Sequence, residues 1–237
     1  MPTAATVLAD LKSRATEQTR RTYIRHGHPP DQTLGVSNAD MKLIAKTIKK
    51  QQALACELYD TGIFEARYLA GMVADGAQLT TKQLQKWADA AAGMPMVSEF
   101  TIPWVTLENP AARTLALEWI ASKKEHVASA GWGTYSGLVI TTPDDALDLP
   151  EIESLLKSIP TKIKTAPNRV KSKMNSFVIC IGTYVAPLYN QALAIAKQLG
   201  VVAVDVGDTD CEVPVATERI ARNHASGRIA KRKTIRC

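Results

Sequence analysis

The sequence predicts an all-α protein built from about a dozen helices of modest length joined by short turns. Apolar residues recur at helical spacing along most of the 237 residues, and glycines and prolines separate the periodic segments. Only residues 201–206 have the apolar, β-branched character of a strand. Because a single strand cannot form a sheet, we interpret this segment as an extended connection. The pattern is typical of helix pairs stacked in a solenoid, and a compact irregular helical domain is the alternative.

The first half of the chain begins with a helix predicted over residues 4–25, where apolar residues fall at helical spacing. Gly27 suits the position after its last turn, and Pro29 cannot continue it. Ser37 then provides a capping signal for the next helix. The further predicted helices of this half lie at residues 37–48, 51–60, 64–74, 80–91, 110–122 and 124–137.

Prolines mark the starts of most helices predicted in the second half. A proline in the first turn removes an amide that would have no helical partner in any case, so it favours a helix start. The last three of the four predicted helices open in this way. Their ranges are residues 154–159, 167–184, 187–199 and 214–224.

The composition is that of an ordinary globular protein, with 46% apolar and 22% charged residues. No apolar run is long enough to span a membrane, and the N-terminus carries no secretion signal. Cys56, Cys180, Cys211 and Cys237 are widely spaced, which argues against a disulfide framework or a zinc site. We therefore expect a cytoplasmic monomer without a cofactor, a metal ion or a membrane partner.

The net charge of +6 is concentrated at the C-terminus. Residues 217–237 contain seven basic residues and one acidic residue, whereas residues 1–216 contain 22 of each and are formally neutral. The high isoelectric point is therefore a property of the tail. A basic groove in the body must come from uneven placement of charge, not from an excess of it. We divide the chain into one helical-repeat domain, residues 1–224, and a basic tail, residues 225–237.

Four segments carry motifs that resemble the DNA alkylation repair (AlkD-like) family. They are G-V-S-x-x-x-M-x-x-I-A-K at residues 35–46, L-A-x-x-L-Y-x-T-G-x-x-E-A-R-x-L-A at 54–70, V-K-x-x-M-N-x-F-x-I-x-I-G at 170–182, and V-D-x-G-x-T-x-C-x-x-P at 204–214. The resemblance implies a superhelix of HEAT-like helix pairs, an α-solenoid whose concave basic groove holds double-stranded DNA through its phosphate backbone. The characterised glycosylases of the family release N3- and N7-alkylated purines without enclosing a flipped base.

The residues that the family uses for catalysis are largely replaced in this sequence. Active members have a Trp and an Asp four residues apart on one helix, an Arg on a later helix and a second Trp on another. The local motifs place Met94 and Ser98 at the first pair, and Glu99 is the only carboxylate nearby. Ser129 falls at the Arg and Phe177 at the second Trp. By this resemblance Glu99 and Phe177 are the candidate catalytic residues.

Trp132 is a further candidate, because Gly131 and Gly133 on either side of it suggest an indole presented between flexible neighbours. An aromatic face can stabilise the positive charge that develops on the sugar during base release. The alternative is that Trp132 fills a gap between helices, as buried tryptophans usually do. We expect Trp87 and Trp119, which lie in helical patterns, to be core residues.

Three basic clusters are candidates for contacts with DNA phosphates, and Arg20, Arg21 and Arg25 form the third of them. No acidic residue interrupts residues 154–173, and Lys46, Lys49 and Lys50 form the second cluster. Asn175 could approach a phosphate or cap a turn. For each basic run, a solvated face is the alternative. The candidates in and after the first cluster are Lys162, Lys164, Arg169, Lys171, Lys173 and Asn175.

The sequence is therefore compatible with three functions. The protein is a DNA-3-methyladenine/7-methylguanine glycosylase, a non-catalytic binder of duplex or branched DNA that reads shape and charge, or a scaffold for other proteins. We favour DNA binding in DNA alkylation repair and leave the catalytic activity open, because the usual catalytic residues are replaced.

Overall fold

The computed structural model describes residues 2–49 and 51–236, and this part of the chain is all-helical. Its thirteen α-helices are α1 Ala4–Arg14, α2 Glu17–Arg25, α3 Asn38–Thr47, α4 Gln52–Asp60, α5 Phe64–Val73, α6 Thr81–Ala90, α7 Ile102–Leu107, α8 Ala112–Ile120, α9 Glu125–Thr141, α10 Leu149–Lys162, α11 Asn168–Tyr184, α12 Tyr189–Leu199 and α13 Ala216–Ala225. A π-helical turn, Val97–Thr101, leads directly into α7.

The first predicted helix is in fact two helices, because the chain breaks at Ala15 and Thr16. The Thr16 side chain accepts a hydrogen bond from the Thr19 amide and so caps α2. Its own amide donates to the Gly35 carbonyl. Threonine favours an N-cap position, a preference that apolar periodicity does not reveal. The sequence interpretation also missed the helical segment Val97–Leu107 formed by the π-turn and α7.

Alternate helices of the chain form a parallel row: α3, α5, α7, α9, α11 and α13. At its start, the Glu65 carboxylate in α5 accepts hydrogen bonds from the amides of Leu34 and Gly35, which precede α3. The N-terminal ends of α3 and α5 therefore lie together. Gly71 in α5 then faces Thr101, so closely that a Cβ on this glycine would lie 2.5 Å from the threonine Cγ2.

The later helices continue the row in the same direction. Gly133 in α9 faces Pro103 in α7, and Trp132 in α9 packs on Phe177 in α11. Gly182 near the end of α11 faces Ile220 in α13. Each helix of the row from α5 onward packs against the helix that precedes it in the chain. Because the contacts between successive row helices join like ends, all six helices begin at one edge of the molecule and end at the other. We call these the N-terminal edge and the C-terminal edge.

Two contiguous apolar clusters form the core between the helices of the row and the helices that alternate with them in the chain. Trp87 and Trp119 are buried as expected, and the indole of Trp87 stacks on the Tyr59 ring with 3.9 Å between the ring centroids. Residues 201–206 form an extended connection without strand pairing in the described chain, which agrees with the sequence interpretation.

Within residues 2–49 and 51–236, no single helix has both the length and the apolar character needed to cross a membrane. The helical segments Asn168–Tyr184 and Ala186–Leu199 meet those criteria only when taken together, and they are bent by 113° relative to each other.

Candidate nucleic-acid interface

A cavity of about 330 Å³ lies at the N-terminal edge of the helix row. Its walls come from the turn before the π-helix, from the first residues of α9 and α11, from the turn after α2, and from the connection between α12 and α13. The lining includes Met94, Ser98, His126, Asn168 and Arg169. The cavity therefore includes two of the positions, 94 and 98, at which the resemblance placed catalytic residues.

Glu99 lies in the π-helical turn next to this cavity and is held by two cations. One carboxylate oxygen is 2.9 Å from the Lys173 ammonium, and the other is 3.7 Å from the Arg169 guanidinium. The Glu99 and Lys173 side chains are only 11% and 14% exposed. The Lys173 ammonium also lies 5.1 Å from the centre of the Phe100 ring. The negative charge of Glu99 is thus largely neutralised by neighbouring side chains.

Arg169 links the beginning of α11 to two other parts of the chain. Its guanidinium donates a hydrogen bond to the His26 carbonyl over 3.1 Å. Its backbone amide donates to the Glu125 carboxylate over 2.6 Å. Two of the three cations at the start of α11 that were assigned to phosphates from the sequence, Arg169 and Lys173, therefore have protein partners.

The connection between α12 and α13 meets the end of α2 beside the cavity. Asn168 anchors it, since the Asp205 amide donates to the Asn168 side chain over 2.8 Å and the Asn168 amide group donates back to the Asp205 carbonyl. Gly207 has a φ of 81° and lies against the Arg25 carbonyl; a Cβ there would be 2.3 Å from that oxygen. We call this contact between residues 204–211 and residues 25–27 the bridge. It joins the first and last helix pairs of the molecule.

The side chains at the other positions identified by the resemblance, Met94, Ser98 and Ser129, are buried within the protein. The Met94 side chain is buried, and its sulfur accepts a hydrogen bond from Arg67. The Ser98 hydroxyl donates to the Pro95 carbonyl over 3.2 Å. Ser129 is buried in α9, and its hydroxyl has no hydrogen-bond partner in the described part of the chain. None of the three side chains offers the charge or the aromatic face that base release requires.

Trp132 and Phe177 lie together, but they lie in the core. Both are 0% exposed, and their rings meet edge to face at 5.1 Å. The flanking glycines are not flexible loop residues: Gly131 lets α8 approach α9, and Gly133 lets α7 approach it. This placement matches the alternative in which Trp132 fills a gap between helices. A catalytic role for either ring remains a prediction, and it would require the ring to be uncovered.

Asn175 is also fully buried, and its amide group donates to the Pro214 carbonyl over 2.8 Å. It therefore attaches the end of the α12–α13 connection to α11. The predicted contact between Asn175 and a phosphate would require that connection to move away. Of the two possibilities raised by the sequence, a contact that orders a turn is the one that matches this position.

The remaining predicted DNA contacts lie at both edges of the helix row. Lys162 and Lys164 are exposed and Lys171 is half-buried, all close to the beginning of α11. Lys46 and Lys49 are exposed at the end of α3, which is the opposite edge. Within residues 2–49 and 51–236, none of these five lysines forms an ion pair. Lys50 lies outside the described residues.

Three further residues line the cavity and were not identified as site residues from the sequence: Glu125, His126 and Asp205. Glu125 occupies the first turn of α9, where a carboxylate is favoured by the helix dipole, and this preference is a signal that could have drawn attention to it. Burial lowers the pKa of the His126 imidazole. Asp205 belongs to the family motif at residues 204–214, which by itself indicates no contact for this residue. Its role depends on Asn168, 37 residues away, so no local pattern indicates it.

His28, which follows the end of α2, is packed in the core beside the bridge. Its ring lies 3.9 Å from that of Phe64 and also contacts Tyr23. Burial, and next the positive charge of Arg169, lower the pKa of His28 to about 4. The ring is thus held in its neutral form between α2 and α5.

Comparisons with known proteins agree with this architecture. A family model described as DNA alkylation repair enzyme matches residues 7–201. The chain is 30% identical over 222 residues to the uncharacterized protein Lin0241 of Listeria innocua, covering 92% of this chain and 96% of the relative. It is also 30% identical over 219 residues to the uncharacterized protein Lmo0209 of Listeria monocytogenes, covering 90% and 95%.

A solved structure superimposes on the whole chain with a TM-score of 0.90 and 34% sequence identity, and each chain is fully covered. That structure is described as representing a new family of proteins related to the HEAT-like repeat DNA glycosylases, with affinity for branched DNA structures. The all-helical, HEAT-like architecture predicted from the sequence is confirmed. The chain belongs to the DNA alkylation repair enzyme family.

Proposed function

We propose that this protein binds DNA through charge and shape, prefers branched structures to a continuous duplex, and does not excise alkylated bases. The proposal combines the family with the described affinity of the solved relative for branched DNA structures. It also takes account of the exposed, unpaired lysines near the cavity, whose ammonium groups are available to phosphates. The neutrality of residues 1–216 means that these contacts depend on where the lysines lie.

The ion pair of Glu99 is the observation that carries the non-catalytic assignment. Release of a cationic alkylated base needs a carboxylate that can stabilise positive charge developing on the sugar. Glu99 is the carboxylate of the π-turn, and it is already paired with Lys173 and Arg169. Those cations would also oppose the developing positive charge. The site is therefore poorly suited to this chemistry.

The bridge supports the same conclusion. Base release as described for the family takes place on duplex DNA held in an open groove. Here the Gly207–Arg25 contact and the Asn168–Asp205 hydrogen bonds close one side of the cavity at positions 94 and 98. These contacts restrict the space through which a duplex could approach Ser98 and Glu99.

The binding test compares a synthetic four-way junction with a linear duplex of equal length, by fluorescence anisotropy at several salt concentrations. We expect tighter binding to the junction and a steep loss of affinity as salt rises. The triple variant Lys162→Gln, Lys164→Gln, Lys171→Gln should reduce the slope of log K against log salt by about 2 to 3, since each neutralised phosphate contributes about 0.9. Absent or salt-insensitive binding would contradict the proposal and favour a protein scaffold.

The catalytic test measures release of 3-methyladenine and 7-methylguanine from methylated DNA. We expect no release above background from the natural protein or from Glu99→Gln. Release that disappears in Glu99→Gln would establish a glycosylase with this carboxylate at its centre. Release that persists in the variant would leave a glycosylase that does not use Glu99. A cytoplasmic location and a monomeric state remain predictions, which fractionation and light scattering would test.

A further inference from the structure

The basic C-terminal segment follows the edge of the helix row opposite the cavity. After α13 ends at Ala225, residues 226–236 run back along the C-terminal ends of α11, α9, α7 and α5. The Arg232 guanidinium lies over the Tyr184 ring at the end of α11. The Ile235 side chain occupies the space left by Gly137, where an added Cβ would lie 2.8 Å from the Ile235 Cδ1 and 3.3 Å from a methyl carbon of Leu107.

Hydrogen bonds to helix ends hold this segment in place. Lys231 donates to the Val139 carbonyl over 2.8 Å, and the Arg232 amide donates to the Ile140 carbonyl over 2.9 Å. Arg236 donates to the Ala74 carbonyl over 2.8 Å. The last carbonyls of a helix have no partner within it and carry partial negative charge, so basic donors stabilise them.

Two ion pairs add to this attachment. Lys231 pairs with Asp144 at 2.8 Å, and Arg236 pairs with Glu108 at 2.6 Å. The two cations that fix the segment are therefore satisfied by the protein. They anchor both ends of the stretch 231–236 and leave Arg232, Lys233 and Thr234 on the surface.

The other three cations of the segment point to a partner. Arg228, Arg232 and Lys233 are exposed, and among residues 2–49 and 51–236 none of them forms an ion pair. No acidic residue occurs after Glu218. Positive charges held close together repel one another, which destabilises the protein. The fixed arrangement in turn presents an ordered surface to which a polyanion can bind.

The position of this surface suggests what it does. The helix α9 has 17 residues, and at 1.5 Å per residue the two edges of the row are about 25 Å apart. Lys162, Lys164 and Lys171 lie at the N-terminal edge, whereas the tail cations, and also Lys46 and Lys49 at the end of α3, lie at the C-terminal edge. One straight duplex arm along the first edge would leave the second edge unused.

We propose that Arg228, Arg232 and Lys233 form a second nucleic-acid surface, which contacts the phosphates of another duplex arm when the protein binds branched DNA. This inference rests on the proposed function, because it assumes that a first arm is held near the cavity. The requirement for two separate arms explains a preference for junctions without any reading of base sequence.

The test uses the full-length protein with the triple variant Arg228→Gln, Arg232→Gln, Lys233→Gln, which leaves the anchors Lys231 and Arg236 intact. The matched control removes three unpaired lysines from helices and turns elsewhere on the surface: Lys82→Gln, Lys123→Gln and Lys197→Gln. The affinity of each protein for a four-way junction and for a linear duplex is measured by anisotropy. Thermal unfolding and binding to vesicles of anionic phospholipid are measured in parallel.

We expect the tail variant to lose about tenfold or more in junction affinity and to keep its duplex affinity within about twofold, with unchanged thermal unfolding. Equal effects of the tail and control variants on the junction would overturn the inference and leave the proposed function standing. Equal losses on junction and duplex would also overturn it, because the tail would then belong to one continuous surface. A loss of vesicle binding alone would assign the surface to membranes. If the natural protein bound neither the four-way junction nor the linear duplex, the proposed function itself would be wrong.

Discussion

The Glu99 carboxylate and the Lys173 ammonium form a largely buried ion pair at 2.9 Å, between the π-helical turn and α11. The pair joins two non-adjacent helices of the parallel row, one on each side of α9. Such a pair gives little net stability over an apolar contact, but the loss of one partner leaves an unpaired charge in a poorly solvated place. Glu99 directly follows position 98, at which the resemblance places the catalytic carboxylate of the base-releasing enzymes.

The Glu99→Gln substitution should lower the free energy of unfolding by about 1 to 3 kcal/mol, because Lys173 loses its partner while still buried. The double variant Glu99→Gln, Lys173→Met should recover part of this loss. Urea unfolding of the two single variants and the double variant gives the coupling energy directly. Glu17→Gln is the control, since Glu17 pairs with Arg21 on the surface and should change stability by less than about 1 kcal/mol. A coupling energy near zero would contradict the pairing.

Replacement of Asn175 by alanine should destabilise the protein by about 1 to 3 kcal/mol, because the half-buried Pro214 carbonyl loses its donor and the fully buried Asn175 side chain is truncated. The salt dependence of DNA binding should stay unchanged, since Asn175 is buried and uncharged. Ser176→Ala, at the neighbouring exposed position, should change neither property. If Asn175→Ala kept its stability and lost DNA affinity, Asn175 would be a DNA contact as first predicted from the sequence.

The substitution Gly207→Ala should open the bridge. Gly207 has a φ of 81°, and an added Cβ would lie 2.3 Å from the Arg25 carbonyl. We expect faster hydrogen exchange in residues 201–215 and in the turn after α2, because both sides of the contact are released. Gly200→Ala is a matched control: its φ of 58° also disfavours alanine, but no atom lies within 4 Å of the added Cβ. Faster exchange after α2 in both variants would mean that backbone strain alone causes it.

The buried His28 should make the protein less stable in acid. Its pKa is about 4 in the folded state and 6.5 in the unfolded state, so below pH 6.5 the unfolded chain binds a proton that the folded chain does not. Stability should therefore fall as the pH drops from 6.5 to 4, by up to about 3 kcal/mol for this group. Urea unfolding between pH 7.5 and 4.5 measures the effect. In His28→Phe this part of the pH dependence should disappear; an unchanged profile would assign it to other groups.

Much of the fold could be predicted from the chain alone. Helical periodicity, together with signals such as the Ser37 cap and Gly27, located most of the helices, and the resemblance supplied their HEAT-like arrangement. These features are local, because a cap or an amphipathic face depends on residues a few positions apart. The break at Thr16 and the helix at Val97–Leu107 were missed. The first depends on one side-chain hydrogen bond and the second on an irregular π-turn.

The candidate site could be predicted only in part. The replacement of the family's catalytic residues was visible in the sequence, and so was the concentration of positive charge after Glu218. The sequence could not show that Trp132 and Phe177 face each other in the core. It also could not show that Asn175 is turned toward the α12–α13 connection. The direction in which a helical side chain points is decided by the neighbouring helices, and these come from distant parts of the chain.

By itself, therefore, the sequence determined the helices, the charge-neutral body, the basic tail and the weakened catalytic set. Only the tertiary structure decided which charged side chains are paired within the protein and which are available to bind DNA. It paired Glu99 with Lys173 across 74 positions of the chain, brought residue 207 against residue 25, and attached the tail to the ends of four helices. The physical reason is that charge neutralisation and burial depend on distances of a few ångströms between groups remote in sequence, which no local pattern encodes.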